Sequence, residues 1–170
     1  MIEIDIRYAT KKDLESILDI YNDAILNSTA VYDYEPHTIA MREKWFEEKQ
    51  HHQFPVLVAC MDLKVVGFAS YGSFRPWAAY QFSMEHSVYV HPDYRRLGIA
   101  NRLLSQLIDS AKENGVKTLI AGIDANNDSS IKLHQQFGFF EAGNLKKVGF
   151  KFNKWLDLIF YQLILDEHTD

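Results

Sequence analysis

One cysteine in 170 residues, Cys60, leaves no partner for an intrachain disulfide. A disulfide framework is excluded, and a reducing compartment, the cytoplasm, is the expected location. Cys60 lies in the apolar run Val56-Leu57-Val58-Ala59-Cys60, where a buried structural thiol is expected. No run is long and apolar enough to span a bilayer, so no membrane partner is expected. Met1-Ile2-Glu3-Ile4-Asp5-Ile6-Arg7 alternates apolar and charged side chains, which is the pattern of a strand and not of a signal peptide. The glycosylation-type triplets at Asn27 and Asn127 are therefore read as chance matches. Basic charge is not in excess either: 18 Lys and Arg face 23 Asp and Glu, for a net charge of −5. That excludes the basic footprint of a nucleic-acid binder. His51-His52 has no third ligand at metal spacing, so no metal is expected. The chain also lacks a Gly-x-Ser-x-Gly elbow, a phosphate loop ending in Gly-Lys-Ser/Thr and a Gly-x-Gly-x-x-Gly turn.

What the chain has is apolar substance. Hydrophobic residues make up 47% of it, enough to exclude disorder and to build a sizeable core. There is no repeat, low-complexity tract or linker-like shift in composition, so residues 1–170 read as a single domain. Ile2, Ile4, Ile6 and Tyr8 share one face of a first strand. Thr10 is placed to cap a helix over 10–27, with Leu14, Ile17, Leu18, Tyr21 and Ile25 facing inward. Thr38 is placed to cap a second helix to residue 50, carrying Met41, Trp45 and Phe46. Residues 54–61 and 65–74 read as a hairpin around the turn at 62–64. Pro76 interrupts the pattern, and 77–80 is expected to be a loop. A strand follows at 82–90, then a helix over 98–114 with Leu103, Leu104, Leu107, Ile108 and Ala111 inward and Gly115 as its stop. A strand at 118–124, a short helix at 129–137 and strands at 139–145 and 156–165 complete an α/β domain around one mixed sheet.

The most informative stretch is Arg95-Arg96-Leu97-Gly98-Ile99-Ala100, which lies between a strand and a helix. A helix N-terminus presents unpaired N–H groups and partial positive charge to an anion. Gly98 permits close backbone approach, and the two arginines add charge at the mouth. The stretch reads equally as a pyrophosphate cradle or as an Arg-rich loop capping an amphipathic helix. Glu85 interrupts the apolar strand just before it, either as a solvent-facing residue or as a general base whose pKa burial would raise. Asn127, with Ser130 in the same segment, follows the strand at 118–124, where α/β sheets bind ligands. Capping chemistry explains such residues too. His134 is an ordinary helical histidine or a proton carrier near neutrality. Arg75, with Trp77 and Tyr80, makes either a surface loop or a pocket for a carboxylate or phosphinate.

The pattern Arg-x-x-Gly-x-Ala resembles the acetyl-CoA loop of the GNAT acetyltransferase superfamily. Across most of its length the chain resembles the phosphinothricin acetyltransferase branch. The landmarks are Tyr21-Asn22, Ser28-Thr29-Ala30, Trp45-Phe46, Gly67-Phe68-Ala69, Tyr71-Gly72, Phe74-Arg75-x-Trp77-x-x-Tyr80, Glu85-His86-Ser87-Val88-Tyr89-Val90, Ala121-Gly122-Ile123, Asn127-Asp128, Leu133-His134, Gly149-x-Lys151 and Trp155-x-Asp157. The resemblance implies a GNAT-like, mostly antiparallel mixed sheet flanked by helices, acetyl-CoA as co-substrate and a homodimer. It implies that Val88, Tyr89 and Val90 pair with the pantetheine arm, and that Arg95, Arg96, Leu97, Gly98, Ile99, Ala100 and Asn101 hold the pyrophosphate. Glu85 would be the base and His134 the acid or a pocket residue, with Arg75, Trp77 and Tyr80 around the substrate. Ala100 stands where many relatives carry Gly, an accepted alternative. The implied reaction is direct acetyl transfer to the amino group of a small amino acid or analogue of the phosphinothricin, methionine sulfoximine or methionine sulfone type. A protein or peptide N-terminal acetyltransferase and a non-catalytic acyl-CoA-binding module are the alternatives.

Overall fold

The computed structural model describes residues 3–165, so Ile2 of the expected first strand lies outside the described residues. In chain order the elements are β1 (Asp5–Tyr8), α1 (Leu14–Asn27), α2 (Ile39–His51), β2 (Val56–Met61), β3 (Lys64–Ser73), β4 (Ser83–Val90), α3 (Ile99–Glu113), β5 (Thr118–Asp124), α4 (Asp128–Gln136), β6 (Phe140–Lys151) and β7 (Lys154–Ile164). The strands form one sheet in the order β1-β2-β3-β4-β5-β7-β6. Every neighbouring pair is antiparallel except β4 and β5, which are parallel. Among the described residues no helix is long and apolar enough to cross a membrane.

Helices cover both faces. The inward residues of α3, including Leu103, Leu104, Leu107 and Ala111, are fully buried against one face, and Ile131, Leu133 and Phe137 around α4 pack on the same cluster. Leu14, Ile17, Ile20 and Phe46 from α1 and α2 pack on the other face against Val58 and Phe68. A strand covered on both faces needs apolar residues without alternation. β2, buried along all six residues, has them. Gly67 on β3 admits the N-terminus of α3: a Cβ there would lie 3.0 Å from the Tyr89 carbonyl oxygen and 3.1 Å from side-chain carbons of Ile99 and Leu103.

Two expectations change. The buried stripe of α1 includes Ile20 and Ala24, three and seven positions after Ile17 on the same helical face, while Leu18, one position round, is half-buried; a 3-10 turn at Lys11–Asp13 precedes the helix. The last two strands are longer than alternation suggests. They run to a two-residue turn at Phe152-Asn153, both at positive φ, the geometry a tight hairpin requires. Register shifts between Glu141 and Gly143 and between Leu145 and Gly149 break the period-two pattern that would have marked β6 in the sequence.

The consequential feature is where two parallel strands part. β4 and β5 are paired at Ser83–Thr118, Met84–Leu119 and Glu85–Ile120. Beyond Glu85, β4 stays paired with β3 as far as Val90, and β5 stays paired with β7 as far as Asp124. The two strands therefore splay, and one backbone edge of residues 86–90 loses its neighbour.

Candidate active site

The splay opens a cleft of about 1360 Å³. One wall is the β4 edge with Val88, Tyr89 and Val90, and its mouth is the loop from Arg95 to the first turn of α3. An unpaired strand edge offers alternating N–H and C=O groups to an extended ligand. A pantetheine arm, with its amides, has the matching chemistry. The loop turns through two left-handed residues, Arg96 at φ 62° and Gly98 at φ 78°. Gly98 caps the fifteen-residue α3, whose first turn holds no acidic residue to compete for an anion. Space for a diphosphate is open at this point, since a Cβ on Gly98 would meet nothing within 4 Å. Arg95, Arg96, Leu97, Ile99, Ala100 and Asn101 line the same cleft. So do Asn127 and Ser130 on the opposite wall. Asn127 is also the cap of α4, its side-chain oxygen accepting from the Ser130 N–H at 3.2 Å. The capping role expected of Asn127 is observed, in a residue that also faces the cleft.

Alternation along β4 sends Glu85, Ser87 and Tyr89 to the α1 face and Met84, His86 and Val88 to the α3 face. Glu85 sits where the splay begins and is exposed on its face. Protein around its carboxyl raises its pKa by desolvation, and the Arg75 cation opposes that rise. Gly122 keeps the space beside it free: a Cβ there would stand 3.7 Å from Glu85 Oε1. Arg75 is exposed, lies 4.4 Å above the Phe74 ring and donates to the Phe74 carbonyl at 3.2 Å. Trp77 and Tyr80 are exposed as well. These three residues and Glu85 lie outside the lining of the large cleft. The structure therefore does not bring them into that cleft, and it leaves the aromatic pair open to solvent and not closed into a pocket.

His134 departs most from expectation. It is 4% exposed and lies 2.9 Å, Nε2 to Nε2, from a histidine the sequence reading had given no role, His86, itself 6% exposed. Hydrogen-bond logic assigns the protons. His134 Nδ1 faces the Ser130 carbonyl at 2.7 Å and must donate. A neutral His134 then accepts at Nε2, so His86 donates there. His86 Nδ1 is left as a buried acceptor without a partner among the described residues. Burial drives both imidazoles toward the neutral form, His86 down to about 3 with a further push from His134. Both nitrogens of His134 are engaged, so the expected role of proton donor does not fit this geometry. The pair instead joins β4 to α4 across the splay. In the unfolded chain an imidazole titrates near 6.5. Between that value and about 3 the unfolded state therefore binds the extra proton, and stability falls as pH drops below 6.5. The expected loss from His86 is about 2 kcal/mol by pH 5. Urea titrations from pH 7 to 5 check this: His86→Leu flattens the pH dependence, and an unchanged slope would refute the assignment.

The segment after α1 carries no role that its sequence alone reveals. Ser28, Thr29 and Ala30 line the cleft from the α1 side. They stood out as landmarks, but no local pattern reveals which distant residues hold them.

Comparison with known proteins follows the same lines. Residues 14–139 match the family model described as the Acetyltransferase (GNAT) family. The chain is 42% identical over 164 residues to the L-methionine sulfoximine/L-methionine sulfone acetyltransferase of Salmonella typhimurium, covering 96% of each. It superposes with a TM-score of 0.95 on a GNAT superfamily phosphinothricin acetyltransferase from Sinorhizobium meliloti in complex with AcCoA, at 36% identity over 98% of this chain and 90% of that one. A ribosomal-protein-alanine N-acetyltransferase structure from Brucella melitensis is similar too, with a TM-score of 0.93 and 48% identity over 94% and 99% of the two chains.

Proposed function

The chain belongs to the acetyltransferase (GNAT) family, and from that membership we propose that it transfers the acetyl group of acetyl-CoA to the amino group of a small amino acid or a close analogue, methionine sulfoximine or methionine sulfone before phosphinothricin. The observation that carries the reading is the splay beyond Glu85, with an anion-ready helix N-terminus on one side and a carboxylate of raised pKa on the other. Acetyl-CoA supplies the activated acetyl thioester. Residues 95–101 hold its diphosphate through backbone N–H groups and arginine charge. Residues 88–90 pair with its arm, and N–H groups of the free β4 edge polarise the thioester carbonyl. Glu85, directly or through one water, takes a proton from the ammonium group so that the neutral amine can attack. Holding both reactants in register supplies much of the acceleration. His134 acts as a wall of the cleft, fixed by His86.

An amino acid brings a carboxylate beside its ammonium, and Arg75 lies within electrostatic reach of Glu85. Arg75→Ala is expected to raise KM for the amino acid roughly ten- to a hundredfold, the worth of a charge-assisted hydrogen bond, with KM for acetyl-CoA little changed. Equal effects on both substrates would remove Arg75 from the acceptor site. Thiol release from acetyl-CoA, measured against a panel of amino acids, the two methionine analogues, phosphinothricin and an alanine-terminated peptide, tests the reading as a whole. Turnover of the peptide alone would replace it with N-terminal acetylation, and cofactor binding without turnover would leave an acyl-CoA-binding module.

The enzyme is further proposed to be cytoplasmic and to act as a homodimer. Val148, Phe150, Phe152 and Trp155, all exposed around the β6–β7 hairpin, support the dimer as apolar side chains that a second copy would cover. A monomeric mass in sedimentation would count against the dimer.

A further inference from the structure

Lys151, at the end of β6, is 4% exposed and has no role in the reaction described above. Its ammonium donates to three backbone carbonyls, Ile25 at 2.5 Å, Ser28 at 2.7 Å and Val31 at 2.8 Å. An ammonium has three protons, and each has an acceptor. Two of the three carbonyls belong to the end of α1 and its cap, where the last turn contains no basic residue of its own. Lys151 thus supplies from more than a hundred residues away the cation that a helix C-terminus favours. Two positions earlier, Gly149 faces the same segment. A Cβ there would stand 2.6 Å from a carbon of the Tyr32 ring, so only a residue without a side chain lets Tyr32 lie against β6. Tyr32 reaches on to the Asp157 carbonyl at 3.4 Å and Asp124 Oδ2 at 3.5 Å, and the Tyr34 hydroxyl donates to the Phe150 carbonyl. The segment from 25 to 34 is therefore fastened to the β6–β7 hairpin at several points, and its Ser28, Thr29 and Ala30 form a rim of the cleft.

That rim lines the same cleft as the loop at 95–101 but from the α1 side, the face of the sheet that also carries Glu85, while that loop leads into α3 on the other side. We propose that Lys151 and Gly149 are positioning residues for the acceptor amine: by fixing the 28–32 segment against β6 they set the shape of the space in which the amino-acid substrate is held next to Glu85. This rests on the amine-acetylation reading and adds to it the residues that set its acceptor selectivity.

Lys151→Met keeps the aliphatic stem and removes the three donors. It is expected to raise KM for the amino acid at least tenfold while the acetyl-CoA dissociation constant stays within threefold of wild type. Gly149→Ala pushes the same rim through Tyr32 and leaves Lys151 in place. It is expected to show the same split, and it decides the matter if Lys151→Met does not fold. Hydrogen exchange of amides 28–32 should quicken in both variants, with the amides of α3 unaffected. This readout needs no turnover, so it judges the fastening even if the wild type acetylates none of the amines tried, an outcome that would count against the amine reading instead. Unchanged exchange and unchanged amine KM in Gly149→Ala would overturn the proposal. A parallel rise in amine KM and acetyl-CoA dissociation constant would do so too, because it would reduce both residues to general stability.

Discussion

Gly98→Glu is expected to weaken acetyl-CoA binding by roughly a thousandfold, about 4 kcal/mol. Two separable effects add up to that figure. Gly98 sits at φ 78°, and a side chain in the left-handed region costs about 1–2 kcal/mol, which weakens binding to the extent that the free loop relaxes out of that conformation and must return to it around the diphosphate. The new carboxylate would stand at the N-terminus of α3, where it both meets the partial positive charge and repels a diphosphate. At about 5 Å and an effective dielectric near 20, two like charges repel by roughly 3 kcal/mol. Gly98→Ala isolates the first effect, because the added Cβ meets nothing within 4 Å. Calorimetric titration of wild type and both variants should therefore give a graded series, Ala losing about tenfold and Glu far more. Raising the salt concentration should narrow the gap between them, since the larger effect is screened charge. If Gly98→Glu binds as tightly as wild type, the diphosphate is held somewhere else and the cradle is misplaced.

The features legible in the sequence were those written in local patterns. The stripe of Leu103, Leu104, Leu107 and Ala111 announces α3, and all four are buried. The basic, glycine-containing turn before it marks the candidate anion site, and every residue assigned there lines the cleft. A period-two strand with one carboxylate announces Glu85, but not that β5 leaves β4 at that residue. That fact is tertiary, because it depends on β7 holding β5 as far as Asp124. The hairpin of β6 and β7 was cut short because bulges at 141–143 and 145–149 shift its alternation. His134 was visible as a residue type, but its proton arrangement depends on His86, 48 positions earlier, and on a carbonyl that the sequence does not locate. Lys151 and Ser28-Thr29-Ala30 were each visible as landmarks. The bond that joins them links Lys151 to Ser28 across 123 positions, and no periodicity carries such information.

Glu85→Gln should have the largest effect on turnover, a fall in kcat/KM of roughly a hundred- to ten-thousandfold, the usual contribution of a general base. Gln preserves the volume and one hydrogen-bond acceptor but cannot take a proton. Glu85 works only when ionised, so wild-type activity should fall as pH drops through its pKa, giving an acid limb. Desolvation of its carboxyl by the surrounding protein moves that limb upward, and Arg75 holds it down. Two variants therefore separate the causes. Glu85→Gln removes the limb and leaves a low, flat rate. Arg75→Ala keeps the limb but shifts it to higher pH, because the opposing cation is gone. Acetyl-CoA affinity should stay near wild type in Glu85→Gln, since the 95–101 cradle is across the splay and untouched. If His134 were the general acid, activity would also fall at high pH as it lost its proton; any such alkaline limb should survive His134→Phe, because in the folded enzyme that imidazole has no free proton to give and no free lone pair to receive one. A Glu85→Gln enzyme that keeps both its rate and its acid limb would move the base to another group. An alkaline limb lost with His134 would mean that the imidazole pair opens during turnover and that His134 donates a proton after all.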